Sequence, residues 1–108
     1  VLNALETGYR MIDTAACYGN ESAVGSAVKK SGVSRKDVFL VSKVWIQDAG
    51  YEKTIKSFEK TLENLQTDYL DLYLIHMPYG DYPWRSCIRQ EKLNQSEYVT
   101  SWRTELQT

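Results

Sequence analysis

Gly8-Tyr9-Arg10-Met11-Ile12-Asp13-Thr14-Ala15-Ala16-Cys17-Tyr18-Gly19-Asn20-Glu21 passes from a short apolar strand, through an acid, into a glycine-containing loop and then a helix start. Asp13 stands where the strand ends, and Tyr18 lies in the loop that follows. Two further polar residues occupy equivalent places. Lys43 comes after Val38-Phe39-Leu40-Val41, and His76 comes directly after Leu72-Tyr73-Leu74-Ile75. Each strand-like run therefore finishes at a residue able to do acid–base chemistry.

Working outward, Val1–Glu6 reads as the end of a helix closed by Gly8 as its C-terminal cap. Tyr9–Thr14 reads as a short strand. Asn20 is a good N-cap for a helix running to about Ser31, with Ala23, Val24, Ala27 and Val28 on one face and Gly32 after its end. Ser34 and Asp37 resemble a capping pair for one short turn. Val38–Val44 is an almost unbroken apolar run, the pattern of a parallel strand covered on both faces. Tyr51–Gln66 reads as a long helix: Ile55, Phe58, Leu62 and Leu65 form a stripe opposed by Glu52, Lys53, Lys56, Glu59, Lys60 and Glu63. Asp71–Met77 is a third strand, stopped by Pro78. The order β-α-β-α-β predicts a parallel sheet with right-handed crossovers. In such folds the chemistry gathers at the carboxyl ends of the strands. Asp13, Lys43 and His76 fall there, with Tyr18 just beyond the first.

The bulk numbers bound the alternatives. The 108 residues allow one domain at most, and 43% hydrophobic with 25% charged residues fits a folded globular chain. A net charge of −1 gives no argument for a nucleic-acid or anionic-membrane partner. No apolar run is long enough for a transmembrane helix. Val1–Glu6 has neither the basic start nor the apolar core of a signal peptide, and without an initial Met the chain is expected to begin inside a longer protein. Cys17 and Cys87 show no metal spacing, and a single His excludes a multi-histidine site, so no metal is expected. A reduced, cytoplasmic setting follows as the default.

The four polar residues have a common chemical logic. A free phenol holds its proton too tightly for easy transfer near neutrality. A nearby ammonium favours the phenolate, and an acid paired with that ammonium keeps it charged and in place. A histidine on the next strand can hydrogen-bond a carbonyl oxygen and orient it. Hydride would have to come from a nicotinamide cofactor. Singly, each residue has a plainer reading: Asp13 as a loop anchor, Tyr18 as one packing tyrosine among eight, His76 as a satisfied core histidine. Lys43 inside an apolar strand is less ordinary, because buried lysines are rare unless paired. Placement at one sheet edge is what raises all four together.

Three motifs carry a resemblance: Gly8 to Ala15 with Tyr18-Gly19-Asn20-Glu21, then Val41-Ser42-Lys43-Val44-Trp45, then Asp68-Tyr69-Leu70-Asp71-Leu72-Tyr73-Leu74-Ile75-His76-Met77-Pro78. Together, over about residues 1–82, they resemble the aldo-keto reductases, and among them the small bacterial glyoxal and 2,5-diketo-D-gluconate reductases. The resemblance implies an eight-stranded (β/α) barrel, of which this chain supplies a β-α-β-α-β segment matching strands 2–4 without the first strand. It also implies NADPH as cofactor, a small aldehyde or ketone as substrate, and a monomeric, cytoplasmic parent enzyme. Its tetrad falls on Asp13, Tyr18, Lys43 and His76. Tyr18 would be the general acid, Lys43 and Asp13 would tune it, and His76 would orient the carbonyl. Asp13 would also touch the cofactor, and Trp45 would line the substrate pocket with His76. Met77 departs from the tryptophan common after the histidine, which leaves pocket polarity open.

After Tyr82 the family pattern stops, and residues 83–108 are expected to form a divergent tail. A frameshift would account for it. Under one choice of codons, shifting the frame turns Pro83–Ile88 into Met-Glu-Lys-Leu-Tyr and Tyr98–Arg103 into Ile-Cys-Asn-Phe-Leu-Ala, two segments the family would place there. With the cofactor half absent, the 108 residues alone are expected to be inactive. Two alternatives are a non-catalytic interaction protein built on the reductase fold and an inert gene fragment.

Overall fold

The alternation of apolar and polar residues along the short strands decides which side of the sheet becomes core. A computed structural model of the chain describes residues 1–77. The divergent tail expected over 83–108, and the stop at Pro78, lie outside the described residues. Within them the chain forms helix α1 (Leu2–Glu6), strand β1 (Met11–Asp13), helix α2 (Glu21–Lys30), strand β2 (Phe39–Val44), helix α3 (Tyr51–Leu65) and strand β3 (Leu72–Ile75). The three strands are parallel in the order β1-β2-β3.

The glycine after α1 does what its position implies. Gly8 takes φ +111°, its N–H donates to Leu5 O at 3.2 Å, and the Tyr9 N–H donates to Ala4 O at 3.0 Å. This is the paired bonding of a Schellman cap, for which glycine is the least strained residue. It also shortens the first strand relative to the Tyr9–Thr14 expected, because Tyr9 is spent on the cap. The ladder still reaches one residue beyond β1 on each side, with Phe39 N–H to Arg10 O at 2.7 Å and Thr14 N–H to Val41 O at 2.9 Å. Likewise β3 is shorter than Asp71–Met77, although Asp71 N–H bonds Leu40 O and His76 N–H bonds Val44 O.

Residues two apart on a strand share a face. Ile12, Leu40, Val44 and Tyr73 face the helices and join Leu5, Val24, Val28, Phe58 and Leu65 in one core. Asp13, Lys43 and, by the same alternation, Leu72 and Leu74 belong to the opposite face. Among the described residues that face is only partly covered: Met11 is exposed, and Phe39, Lys43, Leu72 and Leu74 are half-buried. The cover on both faces expected for β2 is complete on the core side and, on the other, complete only at Val41, with Phe39 and Lys43 half-buried. Both crossover helices lie on the core side, and strands are added in one direction. That is the progression of a barrel, whereas a doubly wound sheet reverses direction and carries helices on both faces.

Two helix faces differ from the sequence reading. In α2 the buried residues are Glu21, Val24, Gly25 and Val28, while Ala23 is exposed. Gly25 sets this rotation. A Cβ there would lie 2.8 Å from Asn64 O and from the Leu65 backbone, so the two helices approach backbone to backbone only because the side chain is absent. In α3 the inward row is Thr54, Phe58, Thr61 and Leu65, with Ile55 and Leu62 half-buried. The threonines tolerate burial because their hydroxyls are used: Thr54 Oγ1 donates to Asp48 O at 2.9 Å and Thr61 Oγ1 to Glu21.

Candidate active site

Consecutive parallel strands present their C-terminal ends at one edge, and this edge collects the polar residues. Asp13 ends β1, Lys43 is the next-to-last residue of β2, and His76 follows β3. The Lys43 side chain is mostly buried, with 14% of it exposed, and its Nζ lies 2.5 Å from Asp13 Oδ1. A second bond runs from Nζ to Thr14 O at 2.9 Å. The ammonium is thus held by a carboxylate and a carbonyl, which answers the cost of placing a lysine in an apolar strand. Asp13 keeps 55% of its side chain exposed, so this carboxylate is open on the side away from Lys43.

Tyr18 is placed by a single 3₁₀ turn, Ala16–Tyr18, closed by the Tyr18 N–H on Ala15 O at 3.1 Å and followed by Gly19 at φ +69°. That left-handed residue lets the chain reverse into α2 directly after the tyrosine. Lys43 Nζ lies 5.5 Å from the Tyr18 ring centroid. The Tyr18 ring stands edge-on to His76 with centroids 5.6 Å apart, and Trp45 meets His76 on a second edge-to-face contact at 5.3 Å. Asp13, Tyr18, Lys43, Trp45 and His76 are therefore one connected cluster. The Tyr18 phenol is half-exposed and Trp45 half-buried, so the cluster lines an open surface.

Sequence reasoning passed over three residues of this neighbourhood. Thr14 contributes its backbone carbonyl to Lys43, which no side-chain pattern reveals. Cys17, weighed only as a metal ligand, has its Sγ 3.4 Å from His76 Nδ1. Glu21 is 4% exposed and accepts from Ser42 Oγ at 2.7 Å and Thr61 Oγ1 at 3.2 Å. It ties the start of α2 to the residue just before Lys43 and to α3. A glutamate directly after an N-cap usually reads as a helix-start charge, and only the fold shows that this one is buried.

The profile of the aldo/keto reductase family matches residues 1–104. The chain belongs to the aldo/keto reductase family. The motifs quoted from the sequence end at Pro78, and the family match runs beyond them. A glyoxal reductase of Bacillus subtilis is 60% identical over 78 residues, covering 72% of this chain and 28% of the relative. An aldo-keto reductase of Mycolicibacterium vanbaalenii is 47% identical over 102 residues, covering 94% of this chain and 32% of the relative. The crystal structure of an aldo/keto reductase from Brucella melitensis superposes with a TM-score of 0.76 at 50% identity, over 87% of this chain and 37% of that one. The chain thus spans about a third of the length of the relatives it matches. Membership implies the (β/α)₈ barrel, of which the described residues supply three parallel strands. It also makes carbonyl reduction with a nicotinamide cofactor the activity of the family. No helix among the described residues is long and apolar enough to cross a membrane.

Proposed function

We propose that this chain is the proton-handling part of an NADPH-dependent reductase of small aldehydes and ketones, with Asp13, Tyr18, Lys43 and His76 as its catalytic residues. The observation that carries the reading is the mostly buried Lys43 ammonium, 2.5 Å from Asp13 and beside Tyr18, at the same sheet edge as His76. Its segment corresponds to strands 2–4 of the complete barrel. The complete enzyme would be cytoplasmic and monomeric, with no nucleic-acid or membrane partner, in keeping with a net charge of −1.

The residues present fit one side of a nicotinamide and its substrate. A half-exposed carboxylate and a half-exposed phenol border an aromatic wall, which suits a polar carbonyl held beside a flat ring. Asp13 is the residue of this segment that would touch the cofactor. When bound, the nicotinamide supplies hydride to the carbonyl carbon. Trp45 and His76 bound the substrate pocket, and a His76 N–H holds the carbonyl oxygen in line. Tyr18 gives its phenolic proton to that oxygen, which becomes the product hydroxyl. The Lys43 charge stabilises the phenolate left behind, and Asp13 with the Thr14 carbonyl keeps Lys43 from moving. Glyoxal and keto-sugar reduction, the activities suggested by the resemblance and by the Bacillus relative, set the substrate class.

A closed eight-stranded barrel takes about 250 residues, so we expect the 108 residues alone to show no turnover. The test grafts residues 1–77 onto the remaining strands of the Bacillus glyoxal reductase. NADPH oxidation with methylglyoxal is then measured for the chimera, its Tyr18→Phe variant and the 108-residue chain. The chimera should turn over, Tyr18→Phe should lose about 10²–10⁴-fold, and the short chain should be silent. A folded but inactive chimera, or a fully active Tyr18→Phe, refutes the assignment of the tetrad. Tyr18-dependent turnover by the short chain refutes its inactivity.

A further inference from the structure

We infer that Cys17 is a positioning residue for His76, its thiol donating to Nδ1 and thereby keeping the imidazole proton on Nε2. The inference rests on the proposed role of His76 as the group that orients a carbonyl. It begins from the contact of Cys17 Sγ with His76 Nδ1 at 3.4 Å, across 59 residues of sequence. Cys17 lies in the 3₁₀ turn that also places Tyr18, and His76 follows β3, so the contact joins two of the loops that build the site. Among the described residues Nε2 has no hydrogen-bond partner, which leaves it as the nitrogen available to a ligand.

A neutral imidazole has one N–H and one bare nitrogen, and the bond made by one nitrogen selects the tautomer. Two neutral arrangements fit the observed distance. Either the thiol donates to a bare Nδ1 with the proton on Nε2, or Nδ1–H donates to sulfur and Nε2 is bare. A bare imidazole nitrogen is a good acceptor, whereas thiol sulfur is a weak one. The first arrangement is the stronger. Its consequence is functional, because a carbonyl oxygen is an acceptor and needs a donor opposite it. With the proton on Nε2 the ring can hold that oxygen; with Nε2 bare the two lone pairs would repel. Trp45 and Tyr18 pack on the ring edge-to-face and restrict how it can swing, but they supply no group that selects a tautomer. The thiol is the group that does.

His76 is the sole histidine in the sequence, so its imidazole nitrogens are observable without ambiguity in a ¹⁵N-labelled chain. The experiment is a long-range ¹H–¹⁵N correlation at pH 7.5 on the 108-residue protein and on Cys17→Ser and Cys17→Ala. The parent protein should show a protonated Nε2 and a bare, hydrogen-bonded Nδ1. Cys17→Ser keeps a donor and should keep that pattern. Cys17→Ala should move the Nδ1 signal toward that of a free acceptor and lower the Nε2–H to Nδ1–H ratio by a factor of about 2–10, the equivalent of one ordinary hydrogen bond. A parent protein with Nδ1 protonated, or with both nitrogens protonated as in an imidazolium–thiolate pair, overturns the inference. So do identical signals in the parent and Cys17→Ala. The measurement needs no turnover, so an inactive chimera defeats the proposed function without touching this assignment, and an altered tautomer does the reverse.

Discussion

Glu21 is the residue whose removal should cost this fold most for its size. Its carboxylate is 4% exposed and is the acceptor for two hydroxyls, Ser42 at 0% and Thr61 at 1% exposure. No salt bridge among the described residues reaches it. Glu21→Ala strips the acceptor from both hydroxyls at once. A buried polar group left unsatisfied costs about 1–3 kcal/mol, so two give about 2–6 kcal/mol, less what the hydroxyls recover by turning to nearby carbonyls. We expect a loss of about 3–4 kcal/mol, a large part of the roughly 5–15 kcal/mol that holds a typical domain. Glu21→Gln is the informative control. Its amide oxygen still accepts from one hydroxyl, its NH₂ can donate to the oxygen of the other, and the cost of burying a charge disappears. That variant should lose about 1 kcal/mol or less. Urea unfolding at pH 7 followed by circular dichroism measures both, the midpoint shifting at constant slope. Adding Ser42→Ala to Glu21→Ala should cost less than the sum of the two single changes, because the orphaned hydroxyl is gone. A Glu21→Ala protein within about 0.5 kcal/mol of the parent, the range of an ordinary surface substitution, refutes the reasoning. A Glu21→Gln protein as unstable as Glu21→Ala would show that the charge, and not the acceptor geometry, is what matters.

Three other outcomes are expected. Gly25→Ala should destabilise by about 1 kcal/mol, because a Cβ 2.8 Å from the α3 backbone outweighs the helix-propensity gain of similar size; a raised thermal midpoint would contradict the close helix approach. Arg35→Lys should lose about 1–2 kcal/mol in urea unfolding. The guanidinium bonds Thr67 Oγ1, Val38 O and Tyr69 O, pairs with Asp71 at 3.0 Å and stacks on Tyr69, a planar fork that an ammonium cannot reproduce. Lys43→Met should cost no more than about 1–2 kcal/mol, since the half-exposed Asp13 is rehydrated and only the Thr14 carbonyl is left short of a partner. In the chimera the same change should lower kcat by 10-fold or more, and comparing unfolding with turnover separates the two effects.

Much of the framework was legible from local pattern. The strand runs, the α3 stripe and the Gly8 cap depend on residues a few positions apart, and period-2 and period-3.6 spacing report them directly. The same spacing put Asp13, Lys43 and His76 at strand ends. Parallel strands share one edge, so those three had to converge once the sheet formed. What pattern could not supply was rotation and partnership. Ala23 reads as apolar and inward, yet α2 is turned by the backbone contact at Gly25. Phe58 and Leu65 of the α3 stripe are core and Leu62 packs against it, yet Ile55 is only half-buried, and Thr54 and Thr61 share the inward row because Asp48 O and Glu21 satisfy their hydroxyls. Glu21 itself reads as a surface charge at a helix start, and Cys17 as an unremarkable thiol.

The sequence by itself determined the order of elements and the strand-end placement of Asp13, Lys43 and His76, because these follow from spacing between near neighbours, and the parallel sheet, because strands alternating with helices pair in parallel through right-handed crossovers. The tertiary structure alone decided how close Lys43 Nζ comes to Asp13, whose pairing the chemistry already called for, that Glu21 is buried between Ser42 and Thr61, and that Cys17 meets His76. Those contacts join residues 21 to 59 positions apart. Their geometry depends on how closely helices and strands approach, a distance set by packing that no local spacing encodes.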